Sequence, residues 1–406
     1  MNETGLERLP SVTVADVRKA GVPAATLTRD ADGIEFAYRA DYLASGGLAV
    51  ATTLPLTDQP VRTQAGAVPP YFSGLLPEGR RLTSLHRAVK TSADDELSLL
   101  LAVGRDTVGD VQVVPEGEDP PPATPLLQVD REWSEVRFAD VFSAVGVVDR
   151  VGLPGIQDKV SAGMISVPVG RAGDRYILKV DPPEYPHVVE NEAFFLKLAR
   201  EVRIESADAT VVTDADGRPG LLVRRFDRIA DPSGSTIPLA SEDACQVLGR
   251  WPADKYHLSA EQVVEGLAAH CRARPVALQR LFQRICFAWL TGNGDVHAKN
   301  LAILRTSEGE WQVAPAYDLP STVPYGDKSL ALAVQGRTRG VSRRHLLAFA
   351  GAVGLRERVA LRVLDGLLER TEGLGARLLD ADLSLPEQVV RELVAELRFR
   401  RRLATA

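Results

Sequence analysis

Cysteine is scarce. Cys245, Cys271 and Cys286 are the only three, they lie far apart, and no two form a CxxC pair. An odd, scattered set argues against a disulfide framework and a zinc site, and reduced thiols fit a cytoplasmic protein. Long apolar runs are missing too: none approaches 18 residues, so nothing is expected to span a membrane. The opening MNETGLERLP has neither an apolar stretch nor a basic leader, so no secretion signal is expected. Positive charge is in deficit, with 48 Lys and Arg against 54 Asp and Glu and a formal net charge of -6. That leaves no global basic surface for holding nucleic acid directly. There is no HExxH and no GxSxG elbow, which removes the zincin and serine-hydrolase readings.

What is present is an ordinary globular balance of 45% apolar and 25% charged residues. The length of 406 residues suggests two or three domains of roughly 150 residues each, with enough chain to bury a large core unaided. In the first hundred residues, Asp32-Gly33 is a turn pair that leads into the alternating strand Ile34 to Tyr38. Residues 71 to 103 have helical spacing, and Val108 to Val114 returns to strand character. The segment PEGEDPPPATP, residues 115 to 125, can neither pack a core nor continue a ladder and reads as a linker. Beyond it come a glycine-bearing loop VGLPGIQDKVSAG, a strand from Arg175 to Val180 and a helix from Val189 to Glu201. Two strands follow, joined at Asp214-Ala215-Asp216-Gly217. After 240 the chain is mainly helical. Leu278, Leu281, Phe282, Ile285 and Trp289 share one face of a helix that ends at Thr291-Gly292-Asn293-Gly294. Residues 342 to 403 are helical again, and Arg400 to Arg402 read as a solvated, dipole-complementing end.

The chemistry concentrates in GNGDVHAKN, residues 292 to 300, and in the 18 residues that follow. Asp295 and Asn300 stand five positions apart. Leu301 to Arg305 and Trp311 to Ala314 read as a hairpin, and Asp318 lies just past it. A DxxxxN spacing alone usually marks a turn. The hairpin changes the balance, because an antiparallel return brings Asp318 back to Asn300. Phosphoryl transfer from ATP needs such a set: one carboxylate to orient the hydroxyl and take its proton, and an amide oxygen and a second carboxylate to hold magnesium. Lys179 stands in the otherwise apolar strand YILKV and must emerge at an edge or meet an anion. It is the candidate to hold ATP phosphates, with Glu192 as its helix partner. Gly155, Ile156, Gln157 and Lys159 could meet the nucleotide from the glycine-bearing loop, although that loop matches neither a Walker A nor a GxGxxG pattern. His297 could contact a phosphate.

Several motifs in order then resemble the HipA-type kinases, toxins of bacterial toxin–antitoxin pairs. They are PYFSGLLPEG at 70–79, GRDTVGDVQ at 104–112, the ILKV strand, RRFDR at 224–228, EDACQ at 242–246, GNGDVHAKN and AYDLPS. The resemblance implies an α+β, two-lobed kinase-like fold with an extra N-terminal α/β subdomain and a mainly helical C-terminal lobe. The expected divisions are 1–125, 126–240 and 241–406. It implies Asp295 as catalytic base, Asn300 and Asp318 as magnesium ligands, and Lys179, His297 and Lys299 near the phosphates. Arg224, Phe226 and Asp227 would form the hinge, with backbone reading adenine and Asp227 near the ribose, and Gln246 would lie by the nucleotide pocket. It further implies phosphorylation of a protein serine or threonine hydroxyl, with aminoacyl-tRNA synthetases as the known type of target. The implied partner is a HipB-like helix-turn-helix antitoxin that alone carries the kinase to operator DNA.

One departure matters. Members of the family often silence themselves on a loop serine, and Gly152 stands at that position here, with no hydroxyl residue from Arg150 to Lys159. Two other functions compete: a small-molecule phosphotransferase, which has no reason to carry the N-terminal motifs, and a catalytically idle co-repressor, which has no reason to keep Lys179, Asp295, Asn300 and Asp318 together.

Overall fold

Alternation decides the first sheet. Five strands, β1 (Val14–Lys19), β2 (Val22–Arg29), β3 (Gly33–Tyr38), β4 (Val61–Gln64) and β5 (Val111–Pro115), pair antiparallel in the order β4-β3-β2-β1-β5. Ala15, Val17, Leu27, Ile34 and Phe36 turn inward with Val111 and Val113. They pack against Leu97, Leu99 and Leu100 of the helix Glu96–Val103. Gly33 is demanded by space, since a Cβ there would lie 1.9 Å from the Thr63 carbonyl on β4. The helical spacing of residues 71 to 103 resolves into three helices, Pro70–Ser73, Gly79–Val89 and Glu96–Val103. The structure, a computed structural model, describes residues 3–120, 129–144, 164–171, 174–230 and 235–406. At the head of the expected linker, Glu118 pairs with Arg105 at 2.9 Å and with Arg8, and Asp119 pairs with Arg18 at 3.0 Å.

The second sheet has the order β6-β7-β9-β8, from β6 (Ile165–Arg171), β7 (Asp174–Val180), β8 (Ala209–Thr213) and β9 (Pro219–Arg224). Strand β6 has no counterpart in the sequence reading. Its Pro168 cannot donate to a ladder, which is tolerated here because β6 is an edge strand. One face of the sheet, with Val167, Val169, Leu178, Val180 and Leu222, packs against Trp133, Phe138 and Phe142. The other face, with Leu221 and Val223, joins the helix Val188–Glu201 and the main helical core. Lys179 pairs in register with Leu221, so alternation sends its side chain to the helix face. Strands β10 (Arg228–Ala230) and β11 (Thr236–Pro238) form a short ribbon beyond the sheet.

The largest core is helical. The helix Arg274–Thr291 runs through it, burying Leu278, Leu281, Phe282, Ile285 and Trp289. Each such side chain contributes about 1.5–3 kcal/mol on burial. The helix stops at Gly292, whose φ of 70° is a left-handed conformation glycine adopts without strain. A three-stranded sheet, β12 (Ser241–Asp243), β13 (Ala302–Arg305) and β14 (Trp311–Val313), lies beside it. Helices Arg343–Ala352, Glu357–Arg370, Leu374–Asp380 and Glu387–Thr405 complete the bundle. The expected solvated end is corrected at Arg400, which is 0% exposed. Its guanidinium donates to Trp289 O at 3.2 Å and Lys328 O at 2.8 Å, pairs with Glu396, and stacks 4.5 Å over the Trp289 ring. Among the described residues no helix is long and apolar enough to cross a membrane. The three thiols are buried and unpaired with one another, and burial lifts Cys245 to about 12 and Cys271 to about 11.

The first sheet is tied to the rest by polar contacts. Arg225 and Arg228 reach across to Asp106, each at 2.9 Å, and to the Thr107 carbonyl. Buried Glu242 on β12 accepts from Thr52 N–H at 2.9 Å and its hydroxyl at 2.6 Å.

Candidate active site

Strand β7 and the helix Val188–Glu201 place the first pair. Asp181, just after β7, accepts the N–H groups of His187 at 2.7 Å and Val189 at 2.8 Å and so fixes the start of that helix. One turn on, Glu192 accepts from Lys179 Nζ at 2.8 Å. The pair is buried, Lys179 to 12% and Glu192 to 1% side-chain exposure. Lys179 also pairs with Asp318. Burial alone would pull the Lys179 ammonium down, but Asp318 and Glu192 outweigh it and hold it above the ordinary lysine range. Burial raises Glu192 in spite of Lys179, and Asp318 adds repulsion. Two carboxylates to one ammonium leave a net negative centre, so both groups favour the protonated form.

The loop after Gly292 brings the remaining residues together. Asn300 Nδ2 donates to Asp318 Oδ2 at 3.0 Å, and β13 and β14 make the antiparallel return between them. Asp318 itself has a left-handed φ of 53°. Asp295 is buried in the same loop as Asn300, and its Oδ1 accepts the Tyr256 hydroxyl at 3.1 Å. His297 is buried as well, edge-on to the Tyr256 ring at 5.0 Å. Gly294 has no room for a side chain: a Cβ would stand 2.5 Å from Ser329 O and from Thr322 Oγ1.

Three supporting residues went unnoticed in the sequence. Asn293 accepts the Asp295 N–H at 2.9 Å and donates to the Asp318 carbonyl at 3.1 Å, so one amide spans both acids. Asn191 clasps Ser321, accepting its N–H and donating to its carbonyl, each at 2.9 Å. Tyr256 holds Asp295. An asparagine in line with Phe195 and Leu198 on the apolar face of the helix was the available signal for Asn191, which is fully buried.

Other expected site residues lie at the joint between the first sheet and the helical region. Gln246 closes a capping box with Asp243 and donates to Tyr71 O at 2.9 Å. Lys299 donates to Gly74 O at 2.9 Å. Asp227 takes Arg225 and Arg228 at 2.8 Å each and the Gly109 N–H at 2.9 Å. Burial opposes its charge, yet the two guanidiniums prevail and hold its carboxyl at about 2. Arg224 pairs with Asp174 at 2.8 Å, and Phe226 packs on Tyr317 with rings 5.6 Å apart. Gly152, Gly155, Ile156, Gln157 and Lys159 lie outside the described residues.

The donors fit magnesium. Asp318 and Asn300 each carry a hard oxygen and are linked through Asn300 Nδ2, and the excess negative charge around Lys179 suits a divalent cation. Asn300 Oδ1 accepts the His297 N–H at 3.2 Å, which leaves a second lone pair. Asp181, His187 and Glu190 also stand within 4.8 Å of one another, but Asp181 is engaged as the helix cap.

Comparison with known proteins gives the family. The HipA N-terminal domain family matches residues 15–114, and the HipA-like C-terminal domain family matches residues 151–373. A Sinorhizobium fredii protein named as a kinase, Y4mE, is 30% identical over 398 residues, 91% of this chain and 93% of the relative. The serine/threonine-protein kinase toxin HipA of Shewanella oneidensis is 28% identical over 373 residues, 85% of this chain and 84% of the relative. The solved complex of Shewanella oneidensis HipA with HipB and operator DNA superposes with a TM-score of 0.76 at 22% identity, over 96% of this chain and 97% of that one. The α+β architecture is therefore the kinase-like fold of that structure, and the chain belongs to the HipA family of kinases.

Proposed function

We propose that this chain is an ATP-dependent protein serine/threonine kinase of the HipA toxin type. The observation that carries the reading is one connected set of side chains. Glu192, Lys179, Asp318 and Asn300 join hand to hand across as many as 139 positions of sequence, with Asp295 in the same loop. Lys179 holds the ATP phosphates, steadied by Glu192. Asp295 orients the acceptor hydroxyl and takes its proton, and the Tyr256 hydroxyl fixes the carboxylate for that work. Asn300 and Asp318 would hold magnesium, which neutralises phosphate charge when bound. His297 would approach the phosphates, whereas the Lys299 ammonium is taken up by Gly74 O, Glu78 and Asp243 at the joint. The backbone of Arg224 to Asp227, with Phe226 against Tyr317, supplies the adenine contact. Asp227 and Gln246 belong to the joint in this reading, because their polar atoms are already taken. Gly155, Ile156, Gln157 and Lys159 would close over the nucleotide, and Gly152 removes the loop hydroxyl for self-silencing.

The substrate is a protein hydroxyl, with an aminoacyl-tRNA synthetase as the first to try, and the setting is cytoplasmic. A HipB-like helix-turn-helix protein, by analogy with the solved Shewanella complex, restrains the kinase and links it to operator DNA.

The test is transfer from labelled ATP with magnesium to casein, to purified aminoacyl-tRNA synthetases and to a panel of small alcohols. Asp295→Ala should lose about 100- to 10,000-fold in turnover while keeping ATP affinity. Asp318→Ala should weaken magnesium-ATP binding as well. Normal turnover by Asp295→Ala refutes the base. Faster transfer to a small alcohol than to any protein points to the phosphotransferase, and equal ATP affinity in Asp318→Ala points to the idle co-repressor.

A further inference from the structure

The segment PYFSGLLPEG takes no part in the chemistry above, yet it touches the catalytic loop twice. Its Glu78 reaches out of the first subdomain. Oε2 accepts Lys255 Nζ at 2.7 Å, and Oε1 lies 3.6 Å from Lys299 Nζ. Lys299 also donates to Gly74 O at 2.9 Å and stands 3.7 Å from Asp243.

Each lysine leads to one end of the loop. Lys255 precedes Tyr256, whose hydroxyl donates to Asp295. The Lys255 ammonium stands 5.2 Å over the Tyr256 ring, and its carbonyl accepts the Ala298 N–H at 3.1 Å. Lys299 precedes Asn300, and its carbonyl accepts the Tyr317 hydroxyl at 2.6 Å, next to Asp318. Both lysines are largely buried, so both need a counter-charge at hand. Two carboxylates supply it, Glu78 and Asp243. Without Glu78, Lys255 loses its anion, and Lys299 keeps Asp243 only.

We infer that Glu78 is a positioning residue for phosphoryl transfer: through Lys255 and Lys299 the first subdomain sets the Asp295 and Asn300 ends of the catalytic loop. This inference rests on the reading of Asp295 and Asn300 proposed above. It gives the added subdomain a part in turnover. Misplacing the base relative to the magnesium ligands by a fraction of an ångström lowers the rate of the chemical step while leaving ATP contacts intact.

The test compares the wild type, Asp295→Ala, Glu78→Gln, Glu78→Asp, Lys255→Gln and the double variant Glu78→Gln/Lys255→Gln in the full chain. The readouts are kcat, the KM for ATP and the thermal midpoint. Glu78→Gln keeps shape and removes charge, and its kcat should fall about 10- to 100-fold with KM for ATP within about 2-fold of wild type. Glu78→Asp should recover most of the loss. Lys255→Gln should lower kcat in the same way and by no more than Glu78→Gln, and the double variant should fall no further than Glu78→Gln, which already breaks the Lys255 link. Wild-type kcat in Glu78→Gln overturns the inference, and so does a fall in kcat matched by rising KM and a collapsed midpoint. Where Glu78→Gln fails to fold, Lys255→Gln carries the same expectations. An inactive wild type or an active Asp295→Ala sinks the underlying reading instead. An active wild type, a dead Asp295→Ala and an untouched Glu78→Gln sink this inference alone.

Discussion

Two buried charge clusters in this molecule follow opposite rules. Around Asp227, two arginines surround each acid: Arg225 and Arg228 both reach Asp106 as well as Asp227, and carbonyls of Thr107 and Gly109 take further N–H groups. There two cations balance two acids, whereas around Lys179 Glu192 and Asp318 share one ammonium. The direction of the proton equilibria follows. Asp227 is held far below the usual carboxylate range, whereas Glu192 is lifted above it. The first cluster is internally complete and joins two parts of the chain. The second carries a surplus of negative charge, the setting the proposed magnesium site requires.

Mutating the two clusters should separate stability from chemistry. The largest effect belongs to Asp227→Ala, which leaves two buried guanidiniums to share Asp106 and should destabilise the fold by about 3–5 kcal/mol, read from the urea midpoint. Asp318→Ala should barely move that midpoint; an equal loss in both variants would erase the distinction. Next in size is a pH effect. The folded value of Asp227, about 2, lies below its ordinary 3.8. Its carboxylate therefore favours the folded state above pH 4, and that contribution fades as pH falls from about 4 to about 2. The expected loss is on the order of 2 kcal/mol, and Asp227→Asn should flatten the stability profile across that window. An unchanged acid slope in that variant would show that other carboxylates set it. The smallest effect is at Thr52→Val, which removes one of the hydroxyl and amide donors to buried Glu242 and should cost about 1 kcal/mol. Its kcat should stay at the wild-type value.

The same contrast explains what the sequence could tell. The Lys179, Glu192, Asn300 and Asp318 cluster was legible because local patterns generate it. A lysine in an apolar strand, a glutamate one turn into the next helix, and a hairpin that returns the chain each leave a short-range signature. The joint was not legible. Asp227, Gln246 and Lys299 find partners 118, 175 and 225 positions away, and nothing in their neighbourhoods reveals that distance. Two motifs holding residues read as nucleotide contacts also carry contacts between subdomains: RRFDR meets GRDTVGDVQ, and EDACQ meets PYFSGLLPEG, which reaches the 292–300 loop as well. Strand β6 was hidden by Pro168, and Tyr256 by an ordinary loop around it. Arg400 looked like a solvated end because charge at a helix terminus usually is; the Trp289 ring and two carbonyls below it reverse that expectation.

That arginine has a bearing on biosynthesis. Trp289 and Gly292 begin the turn into the catalytic loop, and the helix Glu387–Thr405 lies against them, with Arg400 under the indole and Leu397 3.2 Å from where a Gly292 Cβ would stand. A nascent polypeptide on the ribosome holds Lys179, Asp295, Asn300 and Asp318 by residue 318 but lacks this floor until residue 400 has left the exit tunnel. Translation itself thus delays competence, and protease cutting at 292–300 in stalled chains of increasing length should cease only once that helix is free.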